Sequence, residues 1–223
     1  MVGLSDSYCV PCSGKAEPLV LLVPGLGGSG PDHWQSYWER ELACERVDLG
    51  RWDDPHRNTW VNKLNLAIHR ARRPVILVAH SLGCHVVAWW NEYERPGAGS
   101  PVLGALLVAP PDVEGDGVID PRLARFAPVM RTPLPFPSIV AASRDDPYMA
   151  FGRSRRLARI WKSRFIDAGW LGHINAESGI GSWPFGQFLL RQLKSELARE
   201  PVPVRGPHHA ALAAARLEIA ERW

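Results

Sequence analysis

The sequence has little cysteine, little net charge and no long apolar run. Its 223 residues include four cysteines, and the formal net charge at pH 7 is +3. A nucleic-acid binder would concentrate Lys and Arg into a patch, whereas the densest basic run, residues 153–164, interleaves with apolar residues as on the solvated face of an amphipathic helix. No apolar run reaches the length of a membrane span, and the N-terminus lacks a secretory-signal profile. We therefore expect no nucleic-acid or membrane partner and a cytoplasmic location.

The few cysteines do not predict a metal or redox site. Cys9 and Cys12 have C-x-x-C spacing, but no second pair completes a zinc cluster. A thioredoxin-type motif would open a helix after a strand, whereas this pair lies in a polar N-terminal segment. We interpret both as free thiols in a reducing compartment, and we expect neither a metal nor an organic cofactor.

Apolar runs alternate with amphipathic segments along most of the chain. Continuous apolar runs are typical of strands buried on both faces of a parallel sheet, and they occupy residues 19–23, 75–79, 103–109, 138–143 and 164–167. Helical spacing follows a predicted N-cap at Asp32, continues over 61–71, and recurs after Ser81, after Pro147 and over 185–197. The alternation predicts an α/β fold with a mostly parallel sheet and helices on both faces.

The domain organisation predicted from these segments is simple. Residues 1–18 form an N-terminal lead, 19–199 a single domain and 200–223 a C-terminal extension. The extension is Ala-rich and is a candidate for an additional helix, packed on the domain or on a second copy in a homodimer. Any cap over a site is expected from the Pro- and Gly-rich residues 110–137.

The segment around Ser81 predicts a nucleophile. It reads strand, then Ala79-His-Ser-Leu-Gly83, then helix. A serine hydroxyl is a weak nucleophile unless it is held against a base and beside an oxyanion site, and a strand–turn–helix elbow supplies that placement. Gly83 fits the elbow pattern, while Ala79 stands where glycine is usual. The alternative is an ordinary turn that contains a serine by chance.

Chain order supplies a carboxylate and a base. In the α/β-hydrolase fold the nucleophile is followed by an acid and then a histidine. Asp145 and Asp146 follow a predicted strand, and we favour Asp146, leaving the other aspartate as a helix cap. Of the eight histidines, only His173 has both the position and the chain order, whereas His80 is expected to point away along its strand.

Backbone amides and a few side chains complete the predicted site. An oxyanion hole needs two donors, for which we select the N–H groups of Leu82 and Leu26, the latter in a glycine-rich loop. A phosphate-binding loop is the alternative for these glycines, but the spacing and lysine of a P-loop are missing. The predicted substrate contacts are Gly25, His33, Trp34 and Asn175, with loop packing as the alternative for Asn175.

Five motifs together resemble a family of small serine hydrolases related to retinoblastoma-binding protein 9, in particular its bacterial branch. They are Val23-Pro-Gly-Leu-Gly27, His33-Trp34, Ala79-His-Ser-Leu-Gly-Cys84, Ser143-Arg-Asp-Asp-Pro147 and Gly172-His-Ile-Asn-Ala-Glu-Ser-Gly179. The resemblance covers about Leu19 to Leu197 and implies an α/β-hydrolase fold with little or no lid and a triad of Ser81, Asp146 and His173. Besides Ala79, the sequence departs at Ser182, where an acidic residue commonly precedes the tryptophan.

The predicted activity is hydrolysis of carboxylic esters with small or medium acyl groups through an acyl-enzyme. A peptidase or amidase is the nearest alternative. A protein-interaction module that keeps the fold without turnover is the alternative from another class, because fold alone does not fix function.

Overall fold

In the computed structural model, which describes residues 17–199, six strands form one parallel sheet. The order across the sheet is β2-β1-β3-β4-β5-β6. The predicted parallel α/β fold is confirmed. The strands are β1 Leu19–Val23, β2 Cys44–Arg46, β3 Val75–His80, β4 Val102–Val108, β5 Ser138–Ala142 and β6 Arg164–Asp167.

Strand β2 is the one strand of the sheet that the sequence pattern does not predict. It pairs with β1 at the edge of the sheet, with Cys44 opposite Val20. It contains three residues, and only Cys44 is buried. A segment this short and this exposed has neither an apolar run nor a readable alternation, so tertiary pairing alone reveals it.

Helices cover both faces of the sheet. Side chains of β1 alternate between two apolar clusters, since Leu21 faces the cluster that contains α2, α3 and α4, whereas Leu22 faces the cluster that contains α1 and α5. The alternation arises because successive side chains of a strand point to opposite faces of the sheet. The helices are α1 Trp34–Glu41, α2 Arg57–Arg70, α3 Leu82–Glu94, α4 Phe151–Ile160 and α5 Pro184–Arg199, with short 3₁₀-helices at Leu123–Phe126 and Ala176–Ser178.

None of the helices between residues 17 and 199 is long and apolar enough to cross a lipid bilayer. The N-terminal pair of cysteines and the C-terminal extension lie outside the described residues.

Two helices begin later than predicted. The N-cap of α1 is His33 and not Asp32, because His33 Nδ1 accepts a hydrogen bond from the Gln35 amide at 3.1 Å. A neutral imidazole can accept at an unprotonated ring nitrogen, as a Ser or Asp oxygen does. Helix α4 begins at Phe151 and not directly after Pro147, since the Tyr148 amide donates to Asp146 Oδ1 at 2.9 Å and closes a turn there.

The strand order has a switch point between β1 and β3. From β1 the chain moves outward to β2 and then returns to β3 on the other side of β1. Ligands of open α/β sheets bind outside the carboxyl ends of the strands at such a point. Val23 pairs with Ala79, and Ala142 pairs with Asp167, so the loops that follow these four strands meet at one edge of the sheet.

Three of the buried histidines within residues 17–199, namely His33, His80 and His85, have a pKa that burial lowers. The pKa falls to about 3 for His33 and to about 4 for His85, and it lies well below the ordinary value for His80. A histidine of this kind takes up a proton more readily in the unfolded chain, so its contribution to stability is complete above the unfolded pKa and is lost as pH falls below it.

The free energy of unfolding should therefore decrease between pH 7 and pH 5, by roughly 1 kcal/mol per pH unit for each buried histidine. Urea unfolding at several pH values measures this slope. His85→Gln, which changes a ring directed at the Pro111 carbonyl oxygen and not at the cleft, should make the slope shallower, whereas substitution of the exposed His69 by Gln should not change it. Equal slopes in both variants would contradict the assignment.

Candidate active site

Ser81 lies on a sharp elbow between β3 and α3. Its φ of 55° and ψ of −127° belong to a conformation that non-glycine residues rarely adopt, at a cost of about 1–3 kcal/mol. The elbow requires close backbone packing: a Cβ on Gly83 would lie 2.3 Å from the Val23 carbonyl oxygen, and a Cβ on Gly25 would lie 2.6 Å from the Ser81 Cβ. Glycine is therefore a steric requirement at both positions.

The structure brings Ser81, His173 and Asp146 together in one hydrogen-bonded series. The Nε2 atom of His173 is 2.9 Å from Ser81 Oγ, and its Nδ1 atom is 2.9 and 3.0 Å from the two oxygens of Asp146. The side chains of Asp146 and His173 are 2% and 9% exposed. A base held between a hydroxyl and a buried carboxylate is the arrangement that activates serine for nucleophilic attack.

The two adjacent aspartates have different contacts. Asp145 Oδ1 accepts hydrogen bonds from Ser143 Oγ at 2.7 Å and from the Gly172 amide at 2.9 Å. These bonds, the one from Ser143 first, lower the pKa of Asp145. Asp145 thus fastens the loop that carries His173, whereas Asp146 contacts the imidazole itself. Neither caps α4, whose N-cap is Ala150.

His80 lies in the site, and the expectation that it points away is wrong. Its Nε2 atom is 2.9 Å from the His173 carbonyl oxygen. Its ring centroid lies 4.6 Å from that of His33 and 5.0 Å from that of His173. Strand alternation carries the missed signal: residues 76, 78 and 80 share the face of β3 that meets α1, so His80 points toward that helix.

A cleft of about 220 Å³ opens beside Ser81. Its lining contains no Lys or Arg, and its one carboxylate is the exposed Glu177. Because burial lowers the pKa of His33 and of His80, these two rings are neutral near pH 7, and the cleft suits an uncharged substrate. The lining residues are Leu26, Gly28, Gly30, His33, His80, Ser81, Leu123, Tyr148, His173, Asn175, Ala176 and Glu177.

The predicted substrate contacts fall into two groups. His33 and Asn175 line the cleft, and Gly25 is packed against Ser81 beneath it. Trp34 does not reach the cleft: its side chain is 0% exposed, and its indole Nε1 donates to the Ile174 carbonyl oxygen at 2.9 Å. The prediction of Trp34 as a substrate contact is therefore wrong, because its helical spacing reflects core packing.

One residue of the 3₁₀-helix Leu123–Phe126, within the stretch from which a cap is expected, lines the cleft. It is Leu123, and Phe126 at the end of the same segment is fully buried against Trp60. The carbonyl oxygen of Phe126 accepts from Trp89 Nε1 at 2.8 Å, and the next carbonyl, of Ala127, accepts from Arg57 at 2.7 Å. The segment is therefore held firmly by the core, and Tyr148 is a further lining residue that the sequence pattern does not predict.

The two predicted oxyanion donors, Leu26 and Leu82, have backbone amides without a hydrogen-bond acceptor among residues 17–199. Leu82 is the first residue of α3, so its N–H has no acceptor within the helix and lies at the positive end of the helix dipole. The Leu26 amide makes no hydrogen bond within residues 17–199, although its neighbour Gly27 donates to the Trp52 carbonyl at 2.9 Å and fixes the loop.

Within residues 17–199, no group of three or more His, Cys, Asp or Glu side chains is placed to hold a metal ion. Cys44 and Cys84 are buried free thiols. Burial raises the pKa of both, to about 11 for Cys44, so neither is a nucleophile near neutral pH.

Two bacterial proteins that are similar to this chain are named as hydrolases. YdeN of Bacillus subtilis (strain 168), whose name describes it as a hydrolase, is 23% identical over 193 residues, which are 81% of this chain and 98% of that protein. The crystal structure of a YdeN-like hydrolase of Pectobacterium atrosepticum aligns with this chain with a TM-score of 0.69 and 34% sequence identity. The alignment covers 81% of this chain and 92% of that one.

A more distant structure confirms the α/β-hydrolase fold. Est1E of Butyrivibrio proteoclasticus, solved with ferulic acid bound, has a TM-score of 0.59 at 15% identity over 81% of this chain and 91% of that one. The family model described as serine hydrolase matches residues 20–192. This chain is a hydrolase and belongs to the serine hydrolase family.

Proposed function

We propose that this protein hydrolyses small, uncharged carboxylic esters through an acyl-enzyme formed on Ser81. The observation that carries the proposal is the hydrogen-bonded series from Ser81 Oγ through His173 to Asp146, with 2.9 Å at each step, in a nearly uncharged cleft. Within the serine hydrolase family, the sequence motifs further lead us to propose a relationship to retinoblastoma-binding protein 9.

Acylation begins when Ser81 Oγ attacks the ester carbonyl and His173 Nε2 takes the hydroxyl proton. Asp146 accepts the Nδ1–H bond, which leaves Nε2 free to act as the base, and it stabilises the imidazolium that forms. The Leu26 and Leu82 amides donate to the oxyanion of the tetrahedral intermediate. Collapse of this intermediate breaks the ester C–O bond, and His173 passes its proton to the leaving alcohol oxygen.

Deacylation repeats these steps with water as the nucleophile. His173 removes a proton from a water molecule that attacks the acyl carbon, and the same two amides receive the oxyanion. Collapse releases the carboxylic acid and returns the proton to Ser81 Oγ. Every proton moves between Ser81, His173 and the substrate or water, so the cycle closes without a cofactor.

The nucleophile can be tested with a fluorophosphonate probe. Ser81→Ala should lose both ester turnover and probe labelling, because it removes the only atom that forms the covalent bond. Ser154→Ala is a matched control, since Ser154 is a buried serine in α4, outside the cleft lining. Labelling that persists in Ser81→Ala would place the nucleophile elsewhere, and no labelling of the wild type would favour an interaction module.

The choice of acid can be tested with two adjacent substitutions. Asp146→Asn should lower kcat by about 10⁴-fold, because an amide no longer holds the tautomer of His173 in which Nε2 accepts a proton. Asp145→Asn should have a far smaller effect, since an amide oxygen can still accept from Ser143 and Gly172. Steady-state kinetics on one activated ester measure both, and a larger loss in Asp145→Asn would exclude the assignment.

Substrate size can be tested with a series of p-nitrophenyl esters from acetate to palmitate. A cleft of about 220 Å³ should give the highest kcat/KM with short or medium acyl chains and a decline with long ones. Matched p-nitroanilides should react far more slowly. Preference for long chains would contradict the ester class proposed here, and comparable anilide turnover would favour an amidase.

A further inference from the structure

The loop that carries His173 contains a strained residue with no role in the proposed chemistry. Ile174 has a φ of 48°, although it is β-branched, and its side chain is fully buried. Non-glycine residues in this region cost about 1–3 kcal/mol and persist only when surrounding contacts hold them. The contacts that hold Ile174 therefore also fix the backbone from which the His173 imidazole projects.

Two ring N–H groups hold two consecutive carbonyls of this loop. His80 Nε2 is 2.9 Å from the carbonyl oxygen of His173, and Trp34 Nε1 is 2.9 Å from that of Ile174. Both rings are buried, at 4% and 0% exposure. A buried N–H that loses its acceptor is costly, so each bond resists movement of the loop.

One of the two neutral tautomers of the His80 ring suits this contact. Its partner is a carbonyl oxygen, which can only accept, so Nε2 must carry the proton. Burial, followed by the neighbouring His33 and His173 rings, lowers the pKa of His80 well below its ordinary value. The ring therefore stays neutral near pH 7 and keeps a single N–H directed at the His173 carbonyl.

Both donors are themselves fixed to the part of the fold that carries the nucleophile. His80 is the residue before Ser81, at the end of β3. Trp34 begins α1, and the next residue, Gln35, donates from Nε2 to the Val78 carbonyl oxygen in β3 at 3.1 Å. The loop carrying the base is thus held by groups that move with the strand carrying the nucleophile.

We propose that His80 and Trp34 are positioning residues that set the distance between His173 Nε2 and Ser81 Oγ by holding the carbonyls of residues 173 and 174. The inference rests on the proposed function of Ser81 and His173. Neither His80 nor Trp34 contacts the reacting atoms, because each acts on the His173 imidazole through the backbone of the loop that carries it.

A matched pair of tryptophan substitutions separates positioning from packing. Trp34→Phe removes the indole N–H that holds Ile174. Trp38→Phe removes an equally buried indole one turn later in α1, whose N–H donates to the Ser182 carbonyl oxygen at 2.7 Å. We expect similar losses of thermal stability in both, but a fall in kcat of about 10- to 100-fold with little change in KM only in Trp34→Phe.

A second pair addresses His80. His80→Leu removes the ring and its N–H, whereas His80→Gln can present an amide N–H near the position of Nε2. We expect a loss of kcat in His80→Leu, a smaller loss in His80→Gln and parallel changes in the rate of fluorophosphonate labelling of Ser81. Thermal unfolding of each variant, compared with Trp38→Phe, shows whether activity falls beyond what lost stability explains.

The outcomes distinguish this inference from the proposed function. If the wild type is labelled and active, but Trp34→Phe matches Trp38→Phe in kcat, or His80→Gln is no better than His80→Leu, the positioning roles are overturned while the proposed function stands. If the wild type shows neither labelling nor ester turnover, the proposed function itself fails.

Discussion

The parallel pairing of β1 with β3 is the constraint on which the rest of the site depends. It sets Val23 opposite Ala79, so the glycine loop and the Ser81 elbow leave the sheet side by side. The two backbones then approach so closely that no Cβ fits at Gly25 or Gly83. A shift of this register would separate the glycine loop from the Ser81 elbow and would open the close contact between Gly25 and Ser81.

Buried polar side chains at the start of α1 lie against this edge of the sheet. Gln35 joins the ends of β1 and β3 through their carbonyls, and Ser29 donates to its amide oxygen. His33 closes the start of α1 while its ring contacts His80. Such side chains are costly to bury unless they are paired, and here most of them are. An apolar layer in this place would avoid the cost of burying polar groups, but it would leave the loop that carries His173 without the hydrogen bonds that hold it.

Much of the fold and part of the site could be predicted because their signals are local. Continuous apolar runs mark strands such as β3, and the elbow around Ser81 has a short pattern with a steric reason. Chain order then selects His173. The choice between Asp145 and Asp146 is different, because the side chains of adjacent residues at a turn point in different directions that the sequence does not reveal. The structure sets these directions through hydrogen bonds, from the Gly172 amide to Asp145 and from the Tyr148 amide to Asp146. Position alone could favour one aspartate but could not exclude the other.

Two of the errors have their physical origin in long-range packing. Trp34 has the aromatic character of a pocket wall, yet its indole is directed to Ile174, 140 residues away. Strand β2 exists only through its pairing with β1. Neither contact leaves a pattern within a window of the sequence. The error at His80 is different, because the alternation of side chains along β3 directs this ring toward α1.

The anchoring of the Leu123–Phe126 segment has a consequence for the shape of the cleft. Trp89 and Arg57 hold the carbonyls of Phe126 and Ala127, and the ring of Phe126 is fully buried. Leu123 therefore belongs to a wall of the cleft that core contacts already hold in place. Binding against such a preorganised wall requires no ordering of the segment, so affinity is not reduced by an ordering cost there.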